Sequence, residues 1–121
     1  MVQKKNNGFD EFLVIKVTDL KDNPVPFGDK EKLIERAEGN WKTTLKTIGR
    51  TNRALVMYKK RILGEFILSD QIKIIRGEKP RIRFSFKKEV EDSKLKGLLL
   101  SKYITPNPIT LLKEEDIEKY K

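Results

Sequence analysis

The chain has no cysteine, no histidine and a single tryptophan in 121 residues. Without thiol or imidazole it cannot assemble a Ser-His-Asp or Cys-His nucleophile, a zinc site of the His/Cys type or a disulfide. Catalysis would have to rest on carboxylates, lysines, hydroxyls or hard metal ions, and no cofactor is expected. Apolar runs such as Ile62-Leu63 and Leu98-Leu99-Leu100 are far too short to span a bilayer. No Gly-rich stretch precedes a Gly-Lys-Ser/Thr, so a phosphate-binding P-loop is missing. From Met1 to Asn7 and beyond there is neither an apolar stretch nor a small-residue cleavage site, so no signal peptide is visible and a cytoplasmic location is the expectation.

What is abundant is charge. Hydrophobic and charged residues each make up 37% of the chain, which supports one small folded domain over residues 1–121 with a heavily charged shell. The 27 Lys and Arg exceed the 18 Asp and Glu, for a formal net charge of +9. That excess is not spread evenly. Residues 41–88 hold 14 basic residues against only Glu65, Asp70 and Glu78, a net of +11, while the segments on either side each net −1. Such asymmetry points to a polyanionic partner. The plainer reading is a charge-rich surface of the kind thermophilic proteins carry, basic by chance in one stretch.

The pattern of apolar residues predicts a mixed, mainly antiparallel sheet curling on itself, with two or three short helices. Phe12 to Thr18 reads as a buried first strand, with Leu13, Ile15 and Val17 on one face. A Pro/Gly connection follows, and Asp29 is placed to cap a helix that runs to about Glu38 and stops at Gly39. The stretch from Asn40 to Arg50 reads as irregular or briefly extended. Ala54 to Tyr58 and Ile62 to Leu68 form a hairpin around a tight basic turn, Lys59-Lys60-Arg61. Gln71 to Ile75 is a further strand, and Gly77 to Pro80 a turn. Arg81 to Phe86 alternates cleanly, placing Ile82, Phe84 and Phe86 opposite Arg81, Arg83 and Ser85. Asp92 or Ser93 is expected to cap a helix carrying Leu95, Leu98 and Leu99. Ile109 to Leu112 reads as extended, and Glu114 onward as helical with acids in its first turn.

Three groups of residues suggest chemistry. The turn Lys59-Lys60-Arg61 and the pair Arg81/Arg83 offer cations to phosphate oxygens, with Arg50 and Arg53 nearby. Trp41 stands in a polar segment, where it would form either one wall of a stacking pocket for a base or a plug under the sheet. Tyr58 and Phe27 are the expected further walls, and Thr44 and Asn52 the short polar groups beside them. A rival reading takes Asp70, Asp92 and Lys94 as a Mg²⁺-dependent nuclease site, because Asp92-Ser93-Lys94 repeats the Asp-x-Lys half of the two-carboxylate-plus-lysine pattern. A third reading is a protein-interaction domain whose basic face meets an acidic partner.

The element order carries a resemblance. A buried strand (Phe12 to Thr18), a Pro/Gly connection, a short helix, a Trp-containing segment and the hairpin Ala54 to Phe66 resemble the PUA-like superfamily, most closely its EVE and YTH branches. The arginine-bearing strand Arg81 to Phe86 and the ending Ile109 to Tyr120 are similar to the later EVE elements. The resemblance implies a small α+β fold built on a curled β-barrel, a basic surface that holds nucleic acid, and a pocket for a flipped, often modified, base. Members of the family read methylated bases in RNA or DNA, and some are the N-terminal recognition domains of McrB-type modification-dependent restriction systems, archaeal ones included. It therefore implies a non-catalytic recognition domain, with DNA favoured over RNA and an effector such as a nucleotide-driven motor and nuclease as partner. An RNA-binding PUA-like module is the neighbouring alternative. On this reading the chain could equally be an N-terminal segment of a longer polypeptide.

Overall fold

The computed structural model describes residues 11–43, 51–69, 71–77, 79 and 81–121. Of the residues singled out above, Thr44, Arg50 and Asp70 lie outside the described residues, as does most of the segment after Trp41. The described elements are β1 (Glu11–Lys16), α1 (Lys30–Glu38), β2 (Arg53–Tyr58), β3 (Arg61–Leu68), β4 (Lys73–Ile75), β5 (Arg81–Arg83), β6 (Phe86–Glu89) and β7 (Ile109–Lys113). A 3₁₀ turn (Glu114–Asp116) then leads into α2 (Ile117–Tyr120). The class is α+β. Strands β6-β3-β2-β1-β7 form one mixed sheet, and β4-β5 a separate two-stranded ribbon. No described helix is long and apolar enough to cross a membrane.

Strands β1 and β2 lie side by side and parallel at the centre of the sheet, with Leu13 opposite Ala54 and Ile15 opposite Val56. Both are apolar on both faces. Phe12, Leu13, Val14 and Ile15 are fully buried, as are Ala54, Leu55 and Val56. A strand buried this way reads as a continuous apolar run and needs cover on each side. On one face α1 lays Leu33, Ile34 and Ala37 over Leu13, Ile15, Ala54 and Val56. On the other, Leu100, Tyr103 and Ile117 cover Phe12, Val14, Leu55 and Met57. Asp29 caps α1 by accepting a hydrogen bond from the Lys32 amide at 3.1 Å, and Gly39 ends it at φ 59°.

Three expectations need correction. The sheet does not close into a barrel among the described residues: β6 and β7 are its two margins. Each face of the sheet is covered by other segments, so closure is not required to bury it. The alternating run Arg81 to Phe86 is not one strand. Arg81–Arg83 pairs with β4, whereas Phe86 pairs with Leu68 of β3, so the chain changes sheets at Phe84-Ser85. The helix expected from Asp92 or Ser93 is a series of turns. There the Ser93 hydroxyl donates to buried Glu65 at 2.6 Å and accepts from the Leu95 amide at 3.1 Å, a local closure that competes with helix. Gly97 at φ 92° completes the bend.

A bulge in β3 explains a pattern that strict alternation misreads. Val56 faces Gly64 and Met57 faces Ile62, which leaves Leu63 as an extra residue. The shift reverses parity, so Ile62 joins the Phe12 side of the sheet while Phe66 joins the Leu13 side.

The position of Gly39 gives a direct test. A Cβ there would stand 2.2 Å from Trp41 Nε1 on a backbone that only glycine adopts easily. Gly39→Ala should cost about 1–3 kcal/mol, read as a lower urea midpoint, and should shift the emission of the single tryptophan.

Candidate nucleic-acid interface

The ribbon concentrates cations by register. Lys73 lies directly opposite Arg83, and Ile75 opposite Arg81, while Ile74 and Ile82 pair on the other side. Ile82 is buried in the core. Its neighbours Arg81 and Arg83 therefore leave the opposite side of β5. Arg76 and Lys79, both exposed, lie in the connection between the two strands. Two like charges set across a strand pair disfavour the ribbon. Something else must hold it, and the fixings lie on β5. Ile82 exchanges two backbone hydrogen bonds with Trp41 at 2.7 and 2.8 Å, and Phe84 donates to Glu38 O.

Arg83 joins the ribbon to the end of α1. It donates to the Gly39 carbonyl at 2.7 Å and approaches Glu38 Oε1 at 3.5 Å. A cation at a helix C-terminus also meets the negative end of the helix dipole. The second oxygen of Glu38 accepts the Phe86 amide at 2.9 Å, at the point where the chain enters the main sheet. Glu38 is thus the hinge of the sheet change, a role with no signal in a sequence where it reads only as a helix end. Cavities of about 440 and 430 Å³ share Arg83 as a wall. The first also has Gln71, Lys73, Ser85 and Glu38 around Ile72 and Phe84. The second has Lys32, Arg36, Asn23 and Asn40 beside Leu20 and Pro26.

The hairpin turn is the second basic group. Tyr58 pairs with Arg61, which leaves only Lys59 and Lys60 in the loop, and both sit at positive φ (47° and 71°). Two-residue hairpins require this geometry, and Asn-Gly is its usual occupant. Here two lysines take it against their steric preference. Lys60 Nζ reaches Ser101 O at 3.2 Å, and Arg61 donates to Gly97 O at 2.7 Å. These bonds tie the turn to the 97–101 segment while Lys59, Lys60 and Arg61 stay exposed.

Arg53 is differently placed. Its guanidinium lies 4.0 Å over the Phe12 ring and meets Glu114 at 3.0 Å and buried Glu65 at 3.7 Å. This is a structural position beneath the 3₁₀ turn.

The aromatic residues separate into two places. Trp41 packs on the core and its indole N–H donates to Ala37 O at 2.7 Å, so the residue closes the end of α1 as a plug does. Phe27 and Tyr58 do come together, edge to face with centroids 4.9 Å apart, and Phe27 is 56% exposed. The Tyr58 hydroxyl donates to Asp19 Oδ2 at 2.6 Å. That hydrogen bond, then the one from the Val25 amide, and more weakly the charges of Lys59 and Arg36, hold the Asp19 carboxyl below its usual range. Asp19 was not legible as part of this group, because 39 residues separate it from Tyr58. Asn52 Oδ1 is buried with no hydrogen-bond partner. Asp92 and Lys94 are exposed, and no group of three or more carboxylates fit to hold a metal ion occurs among the described residues.

No protein-family model matches the chain, and no curated protein or solved structure is significantly similar to it.

Two outcomes follow from this geometry. Replacing Lys59-Lys60 by Asn-Gly should raise the unfolding free energy by about 1 kcal/mol, measured by urea denaturation. Tyr58→Phe should return the Asp19 titration toward the ordinary carboxylate value, as followed by carbon-13 NMR of the side-chain carboxyl. Because the folded pKa of Asp19 is depressed, its contribution to holding the 19–25 loop is present at neutral pH. It should fade only as the pH falls below about 4, and Tyr58→Phe should make the contribution itself smaller.

Proposed function

We propose that this chain is a non-catalytic nucleic-acid recognition domain of PUA-like type, acting on DNA in preference to RNA. What carries the reading is the confinement of the whole charge excess to residues 41–88, at a net of +11. Exposed cations of that segment cluster at the Lys59-Lys60 turn with Arg61, and on the ribbon with Lys73, Arg76, Lys79 and Arg81, while Lys42 and the β6 residues Lys87 and Lys88 are exposed elsewhere. Side chains so placed reach phosphate without disturbing the core, and phosphate contacts set position and affinity without reading sequence. Arg83 ties the ribbon to the end of α1, and Arg53 braces the sheet.

Reading of a flipped, modified base is the further part of this proposal. Phe27, Tyr58 and Asp19 favour it as an exposed aromatic pair with an acceptor beside it. Trp41 contributes indirectly, by fixing the end of α1. A domain of this kind works with a catalytic effector, such as a nucleotide-driven motor and nuclease, in the cytoplasm.

Fluorescence anisotropy with duplex and single-stranded DNA and RNA across a salt series tests the reading. Affinity should fall linearly in log-log form as salt rises, and Lys59→Gln/Lys60→Gln should lower the slope by about one per lost phosphate contact. Weak binding to all of these nucleic acids that does not change with salt would rule it out.

A further inference from the structure

We propose that the β4–β5 ribbon enters the major groove of B-form DNA, which makes duplex DNA the specific partner of this face. The inference rests on the nucleic-acid reading above and adds the element, the groove and the form of the duplex. Strand alternation directs Lys73, Arg81 and Arg83 to one side; on the other, Ile82 is buried in the core while its partner Ile74 is 49% exposed. The side chains of Lys73, Arg76 and Lys79 make no hydrogen bond or ion pair with a described residue. Arg83 is engaged by Glu38 and Gly39, which leaves Lys73 beside it as the cation that gains from a polyanion laid across the ribbon.

Shape selects the partner. Two strands about 4.8 Å apart with their side chains fit the major groove of B-DNA, about 12 Å wide, which admits a two-stranded ribbon. The major groove of A-form RNA is too deep and narrow for side chains to read. The Trp41 bridge meets the ribbon at Ile82, and Arg76 and Lys79 in its connection are exposed. Bonds from Trp41 to Ile82, from Arg83 to Gly39 and from Ser69 to Ser85 fix the root of the ribbon. A ribbon held in place at its root loses little further freedom on docking.

The test compares one sequence as duplex DNA and as duplex RNA, for the wild-type chain, Lys73→Gln/Lys79→Gln, and Lys59→Gln/Lys60→Gln. Thermal melts establish that the variants are folded, since neither pair supports the core. The ribbon variant should bind duplex DNA about tenfold or more weakly, with a salt slope reduced by about two. Methyl green, a major-groove ligand, should compete with the wild-type chain, whereas the minor-groove ligand netropsin should not. Wild-type-like DNA binding by the ribbon variant, or duplex RNA bound as tightly as duplex DNA, overturns the ribbon assignment while leaving nucleic-acid recognition standing. If the wild-type chain binds neither duplex nor single strands, both readings fall together.

Discussion

Burial of β1 and β2 on both faces is the constraint to which the rest of the structure answers. Seven successive-register side chains with essentially no exposure, from Phe12 to Ile15 and from Ala54 to Val56, demand an apolar layer above and another below. The first layer is α1, carried between the two parallel strands as their crossover. The second is assembled from the 95–103 segment and α2, which follow in the chain after β6 and β7. A small chain with one sheet can satisfy both faces only by using nearly every other segment as cover. Charge is carried outward by the β4–β5 ribbon, the Lys59-Lys60 turn and the margin strand β6 with Lys87 and Lys88.

The join between covered sheet and projecting ribbon is made by three neighbouring residues at the end of α1. Glu38 holds the Phe86 amide and faces Arg83, Gly39 gives its carbonyl to Arg83, and Trp41 returns its indole N–H to Ala37 while bridging Ile82. Each contact satisfies a backbone group that the helix end or the sheet change would otherwise leave without a partner. The two arginines of β5 share this segment unequally: Arg83 is held by Gly39 and Glu38, whereas exposed Arg81 makes only a long contact to the Asn40 carbonyl at 3.4 Å. A similar division separates Arg53, stacked on Phe12, from the lysines of the turn.

Much of this was readable in residue order. The helix from Asp29 to Gly39, the hairpin around Lys59-Lys60, the extended Ile109 run and the helical end all rest on local signals: a cap, a stop, a tight turn, alternation. Where the reading failed, a distant partner outweighed a local preference. Ser93 looked like a helix cap until buried Glu65 claimed its hydroxyl, and the alternation from Arg81 to Phe86 hid a sheet change imposed by Glu38, some 48 positions away. The bulge at Leu63 was invisible for the same reason, since it is defined only by what lies opposite.

The sequence by itself determined that this chain has no thiol or imidazole chemistry, that its positive charge belongs to one segment, and that the strand beginning at Phe12 belongs inside. Those are properties of composition and local pattern. Tertiary structure alone decided which cations of that segment point outward and which are bound to carbonyls and carboxylates, because that depends on side chains brought together across 40 residues or more, as Arg83 is to Gly39 and Arg53 to Glu114. It also decided that Trp41 closes a helix while Phe27 meets Tyr58, since packing places an aromatic ring and spacing in the chain does not.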